Sequence, residues 1–471
     1  MPISFLSHYS MLINGRLMDS SESLGVINPA TEEIIAHVPD CTREQLDATV
    51  AAARAAFPAW RSLPISARKD ALVAIAARIE ENAEHLMALL TREQGKPLPE
   101  AKSETLRSAL WFREIAKKDL PFTVHTDENG RRFESRHVPL GVAAAITPWN
   151  FPLLLAAWKI APALLTGNTV IWKPSPYTPL CALKIGELLR DLLPPGVLNV
   201  VSGGDRLGPW ITEHPGIDKI AFTGSTATGR RVMQSAATNL KRVTLELGGN
   251  DPAIVLPDVD IPAAAEKVFW VAFRNSGQFC IAAKRVYVHA DIYDVFSRAI
   301  VDYARTVKVG NGAENGTMLG PLQNRMQFQK VHDLIASAKK DGLRFLLGGE
   351  APQGPGYFVP VTIIDNPPED SRVVVEEAFG PVLPLLKFSD IDDVIERANR
   401  TEYGLGASVW SRDVEKARAI AERLESGNVW INSVQWLSPH AAYGGHKQSG
   451  IGVEHALEGL LEYTNVQTIV I

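Results

Sequence analysis

Cysteine is scarce in this sequence: Cys41, Cys181 and Cys280 are the only three among 471 residues. They are odd in number and far apart, which excludes a disulfide scaffold and points to a reducing cytoplasm. No C-x-x-C pair occurs and the eleven histidines include no H-E-x-x-H, so no metal is expected. A basic excess is also missing. The formal charge of −5 and the pI near 6.2 argue against a nucleic-acid partner. No stretch approaches the ~20 apolar residues that cross a bilayer. The opening MPISFLSHYSMLINGRLMDS lacks the basic start and apolar run of a signal peptide. Blocks of like charge, internal repeats and low-complexity segments are absent as well.

What remains is an ordinary globular composition, 46% hydrophobic and 21% charged. The length suits about three domains of ~150 residues. MLINGRL reads as strand, Asn-Gly turn, strand. From Thr42 to Lys118 apolar residues recur at three- and four-residue intervals, which predicts helices. LPFTVHTDENGRRFESRHVPLG then alternates polar and apolar residues around Glu128-Asn129-Gly130, a hairpin pattern. From Gly141, the apolar runs GVAAAIT, NTVIWKP, VLNVVSG and IDKIAFTG alternate with helical stretches, as in the crossover units of a parallel sheet. A second such series follows Gly248. EYTNVQTIVI reads as an apolar strand, a liability if unpaired. It is expected to pair with the hairpin or across a subunit interface.

Several turns could carry chemistry. FTGSTATG is not G-x-G-x-x-G, yet Thr223, Gly224 and Ser225 would open a helix whose free N–H groups suit a pyrophosphate; an ordinary strand–helix turn is the other reading. In VTLELGGND, strand alternation sets Glu246 opposite Val243, Leu245 and Leu247, beside a cleft or on the surface. In TPWNFP two prolines restrict the turn, and Asn150 either caps a helix or presents its amide in a fixed direction. Cys280, in RNSGQFCIAAKR, is open to packing, redox or nucleophilic readings.

PWNFP, WKPS, FTGST, LELGGN, GQFC, EEAFGPV and GGHKQSG occur in the order seen in the NAD(P)-dependent aldehyde dehydrogenase superfamily, which the sequence resembles over essentially its whole length. The resemblance implies an α/β fold. A Rossmann-type cofactor domain would span residues 1–117 and 138–247, an α/β catalytic domain 248–440, and a small β oligomerisation element 118–137 and 453–471. It also implies a homodimer or homotetramer that oxidises a small-molecule aldehyde to a carboxylic acid.

In that family chemistry a thiolate adds to the aldehyde, the thiohemiacetal loses hydride to the nicotinamide, and water opens the thioester. Cys280 resembles the nucleophile, Glu246 the general base and Asn150 the oxyanion donor, beside the backbone N–H of Cys280. Cys41 and Cys181 suit core packing. Lys173 and Ser175 of WKPS resemble the adenosine-ribose contacts. Gly224 and Ser225 match the pyrophosphate turn, Glu377 and Phe379 the nicotinamide-ribose side, and Trp149 lies beside the cleft. Many NAD-preferring relatives have a glutamate three residues after the lysine, where this chain has Pro176. NAD is expected, and NADP is admissible.

The positions matching the aldehyde tunnel are Phe151, Trp158, Phe279, Trp436, Leu437 and Tyr443. They suit aromatic or medium-chain aliphatic aldehydes. No arginine stands among them for a distal carboxylate. Two rivals are a CoA-acylating enzyme, whose members typically lack the Glu246 equivalent, and a catalytically silent binding or structural protein on the same scaffold.

Overall fold

The computed structural model describes residues 4–350, 354–433 and 436–471. The expected Asn-Gly turn is present: Asn14 and Gly15 both take positive φ and join the antiparallel strands Met11–Ile13 and Arg16–Met18. The hairpin Glu22–Ile27 with Ile34–Asp40, which the alternation did not reveal, follows. Helices Arg43–Ser62, Ile65–Glu81, Ala83–Gln94 and Leu98–Ala116 fill the predicted helical region. A reciprocal Thr42–Gln45 capping box starts the first of these. The third ends on Gly95 at φ +95, which satisfies its last turn in the left-handed conformation.

The crossover units build an eight-stranded sheet whose parallel centre runs Leu198–Val200, Thr169–Lys173, Val142–Ile146, Lys219–Thr223, Arg242–Glu246. The chain enters at Val142–Ile146, moves outward one way, then returns to build the other side. This order creates a switch point beside the first strand, and ligand crevices lie at the carboxyl ends of strands at such points. Gly450–Ile451 closes one edge, antiparallel to Arg242–Glu246.

The second series forms a seven-stranded sheet in which Asp251–Val255 lies between Ala283–His289, the middle strand, and Gly406–Trp410. Strand alternation divides its core: Ile254, Tyr287, Ile364 and Val409 pack on one face, Ala253, Val286, Ile363 and Trp410 on the other. Thr464–Val470 pairs antiparallel with Arg132–Pro139, which also pairs with Phe122–Thr126. This third sheet gives the terminal strand a partner within the chain.

Helices and first sheet are tied together by charge. Lys96 and Glu104 form a fully buried pair at 2.5 Å. Glu104 also accepts from the backbone N–H groups of Leu153 and Leu154 at the start of helix Leu154–Leu165, while Lys96 donates to the Asn150 carbonyl at 2.8 Å. Each charge thus has several partners, as burial requires. Lys96→Met would strand the Glu104 carboxylate, and we expect it to lower unfolding free energy by about 3–5 kcal/mol, read as a shifted urea midpoint. The double variant Lys96→Met/Glu104→Leu should recover part of that loss.

Candidate active site

Four parallel strands aim their carboxyl ends at one edge. Lys173 ends one, Thr223 another and Glu246 a third, with Thr223 opposite Glu246 in register. The fourth, Val142–Ile146, runs into the turn that carries Asn150. From Glu246 the chain needs only Leu247-Gly248-Gly249-Asn250 to reach Asp251, the start of a strand beside the middle of the second sheet. The site therefore lies where the two sheets meet.

Cys280 stands on a loop folded against its intrinsic preference. Asn275, Ser276 and Gly277 are consecutive left-handed residues, and a Cβ on Gly277 would lie 2.3 Å from the Gly380 carbonyl oxygen. Side-chain bonds hold this conformation. Ser276 donates to the Gly320 carbonyl at 2.7 Å, and Gln278 donates to the Asn275 and Pro321 carbonyls. Asn150 Nδ2 donates to the Gln278 carbonyl at 3.0 Å, so the second hydrogen of that amide remains for a ligand. The thiol itself lies 3.4 Å from the Tyr443 hydroxyl. Burial pushes its pKa up to about 11, against the opposing influence of Tyr443 and Lys284.

Glu246 is buried, and both its carboxylate oxygens lack a hydrogen-bond partner among the described residues. Burial raises its pKa well above the usual range. The nearby Glu454 charge adds to this and the Lys159 ammonium opposes it. Lys159 and Glu454 are paired with each other. Lys159 could have been read as significant from sequence, since a lone cation in the wholly buried helix LLAAWKIAPALL needs a partner.

The proposed cofactor positions sit along the same edge. Burial lowers the Lys173 ammonium to about 8, with Asp205 and Asp40 opposing. It donates to the Pro174 carbonyl at 3.2 Å; an ammonium has three donors, so others are left for ribose hydroxyls. Ser175 is buried beside it. Ser225 caps helix Thr226–Ala236 after Gly224, and the Thr223 hydroxyl is buried without a partner among the described residues. Across the cleft Trp149 meets Phe379 edge to face at 5.4 Å. Glu377 accepts from Gly249 N–H and pairs with Lys284, both at 3.1 Å. Lys284, which sequence reasoning passed over, also donates to the Cys280 carbonyl at 2.6 Å. This combination of free ammonium hydrogens, a helix N-terminus and an aromatic pair fits a nicotinamide dinucleotide.

The tunnel positions divide. Trp158, Tyr443 and Phe279 are buried. Phe151 and Leu437 are half-buried against the same core, with the Lys96 ammonium 3.9 Å above the Phe151 ring. Trp436 is 80% exposed. Trp111 and His455, absent from the sequence reading, join the aromatic wall: the His455 ring meets Trp158 at 4.2 Å and Trp111 at 5.2 Å.

Residues 17–469 match the aldehyde dehydrogenase family. The chain belongs to that family. Its relatives include human retinaldehyde dehydrogenase 3, 43% identical over 96% of this chain and 90% of the relative. Phenylacetaldehyde dehydrogenase of Pseudomonas fluorescens is 41% identical over 98% and 96%. The NAD+ complex of an aldehyde dehydrogenase from Bacillus cereus superposes with a TM-score of 0.97 at 38% identity, covering 99% of this chain and 97% of that one. This aldehyde dehydrogenase is thus an NAD(P)-dependent, aldehyde-oxidising oxidoreductase with a Rossmann-type domain and an α/β catalytic domain. Among its described residues no helix is long and apolar enough to cross a membrane.

His455 gives this dehydrogenase an acid-sensitive point. Burial drops its pKa to about 3 from 6.5, with Lys159, Arg107 and Lys118 adding to the shift. The unfolded chain therefore binds the proton more readily. The stability that this group contributes is complete above pH 6.5 and falls as pH drops towards 3. His455→Leu should flatten the stability–pH slope over that window by about 1.4 kcal/mol per pH unit, measured by urea unfolding at a series of pH values.

Proposed function

We propose that the enzyme oxidises an apolar aldehyde, aromatic or medium-chain aliphatic, to its carboxylic acid through a thioester on Cys280. The observation that carries this reading is the meeting of three groups at the sheet junction. They are the half-buried Cys280 thiol, the Asn150 amide bonded to the Cys280 loop, and a buried carboxyl at Glu246 with no hydrogen bond among the described residues.

In this mechanism the Cys280 thiol first loses its proton to water, and the thiolate Sγ then forms a bond to the aldehyde carbon. The oxyanion so formed is held by the second Asn150 amide hydrogen and the Cys280 backbone N–H, donors typically worth ~10²–10³ in rate each. Bound NAD(P)+ supplies the hydride acceptor. Lys173, Ser175, Gly224, Ser225, Trp149, Glu377 and Phe379 would bind and orient it. Glu246 then takes a proton from the water that opens the thioester. Its elevated pKa makes it a base only after it has lost its own proton, so turnover rises with pH through that ionisation.

A water-activating carboxyl favours hydrolysis over transfer to coenzyme A. The aromatic wall of Trp158, Phe279, Tyr443 and Trp111 favours an apolar substrate. Pro176 brings no carboxylate to the Lys173 end, so a 2′-phosphate meets no repulsion from that position. The reading also has the chain working in the cytoplasm as a homodimer or homotetramer. The third sheet, with exposed Phe122, Val124, Val466 and Val470, would form the contact.

The test follows nicotinamide reduction with NAD+ and NADP+ across aromatic, aliphatic and carboxylated aldehydes, with and without coenzyme A. Cys280→Ala should abolish turnover, and Glu246→Gln should lower kcat about 10²–10⁴-fold and remove the rising pH limb. Pro176→Glu should reduce kcat/KM with NADP+ more than with NAD+. Absence of any Cys280-dependent signal in folded enzyme would sink the dehydrogenase mechanism and leave a silent scaffold.

A further inference from the structure

Tyr443 stands in the aromatic wall, yet its polar end reaches the reacting atom. We propose that the Tyr443 hydroxyl is a further catalytic group, a fixed hydrogen-bond donor that holds Cys280 in its thiolate form. The proposal rests on Cys280 being the nucleophile.

The geometry comes first. The hydroxyl lies 3.4 Å from Cys280 Sγ, within hydrogen-bonding reach of a sulfur atom. The tyrosine is buried and pinned on two sides. Its backbone exchanges two hydrogen bonds with Glu454, Tyr443 N–H to the Glu454 carbonyl at 2.8 Å and Glu454 N–H to the Tyr443 carbonyl at 2.7 Å. Its ring packs edge-on against Trp158 at 5.4 Å and tilted against His455 at 5.6 Å. A donor held in this way loses little entropy in forming its bond.

The chemistry then fixes the direction of the bond. A thiol is a weak donor and a thiolate only accepts, so once sulfur is charged the phenol must donate, and a bond to a charged acceptor is the stronger kind. Burial and the neighbouring Cys280, Glu246 and Asp251 raise the Tyr443 pKa well above that of a free phenol, so it keeps its proton when sulfur loses one. Charged groups around Cys280 pull both ways. Lys284 favours the thiolate, with Glu377 paired to that lysine, whereas Asp251 and Glu246 oppose it. Tyr443 is thus a neutral donor among charges that pull in opposite directions. The same bond serves at the end of the cycle. Water adds to the thioester carbon, its proton passes to Glu246, the C–S bond breaks, and the electron pair leaves on the sulfur that Tyr443 faces.

The experiment measures alkylation of Cys280 by iodoacetamide across a pH series in cofactor-free enzyme, read on the Cys280 peptide by mass spectrometry. Tyr443→Phe should move the midpoint up by about one to two pH units, the worth of one hydrogen bond to a charged group, and keep the high-pH plateau. Enzyme carrying 3-fluorotyrosine at position 443, a more acidic donor of nearly the same shape, should move the midpoint down. A packing role predicts no movement with the fluorinated residue, and an unchanged midpoint in both proteins overturns the proposal. If Tyr443→Phe does not fold, the fluorinated enzyme decides alone. Loss of turnover on alkylation with an unmoved midpoint rejects Tyr443 only. Turnover that survives complete alkylation rejects Cys280 as nucleophile.

Discussion

Burying a charge is costly unless every lone pair and proton around it is used, and the buried Lys96–Glu104 pair meets that demand by joining three parts of the chain. Glu104 belongs to the helical layer and holds the first turn of helix Leu154–Leu165. Lys96 holds the Asn150 carbonyl, and the Asn150 side chain holds the Gln278 carbonyl. Gln278 in turn accepts from the Gln323 backbone N–H, and the Gln323 side chain donates to the Glu93 and Tyr177 carbonyls. One continuous set of bonds therefore runs from the helices through the Asn150 turn and the Cys280 loop, then back to the helices. The left-handed run at Asn275–Gly277 persists because this set over-determines it.

The site itself shows the opposite treatment of charge. Glu246 has no such bonds among the described residues, Cys280 has one near-neighbour hydroxyl, and burial weakens both as acids. Groups shifted in this way cluster where chemistry is done. The bracing pair Lys96–Glu104 is fully bonded, whereas the Glu246 carboxyl is left without a hydrogen bond among the described residues. Lys284 belongs to both. It braces the Cys280 carbonyl and neutralises Glu377, yet its charge also reaches the thiol.

Much of this was legible in the sequence because its signals are local. Asn14-Gly15 specified its turn, the Ala-rich periodicity its four helices, and the apolar runs their parallel strands. The hairpin Glu22–Ile27 with Ile34–Asp40 escaped because Gly25, the paired Ile34 and Ile35, and Pro39 blur its alternation. Site residues on strand ends and tight turns carried short motifs. The pair Lys159–Glu454 carried none, since a partner far away in sequence leaves no periodic trace, and Lys96–Glu104, eight positions apart, straddles a helix start and so matches neither helical nor strand spacing. Trp111 and His455 were missed for the same reason: each looks like one more residue of an ordinary helix start or helix face, and only the packed fold brings their rings together.

The Lys159–Glu454 pair joins residues 295 positions apart. During synthesis Lys159 and Glu246 leave the ribosome long before the segment that bears Tyr443, Glu454 and the strand Gly450–Ile451 that closes the first sheet's edge. Contacts of this range form late, because loop closure must precede their reward. The chain thus carries Lys159, Glu246 and the Cys280 loop well before Tyr443 and Glu454, so the wall around them is supplied by the last-emerging part of the sequence.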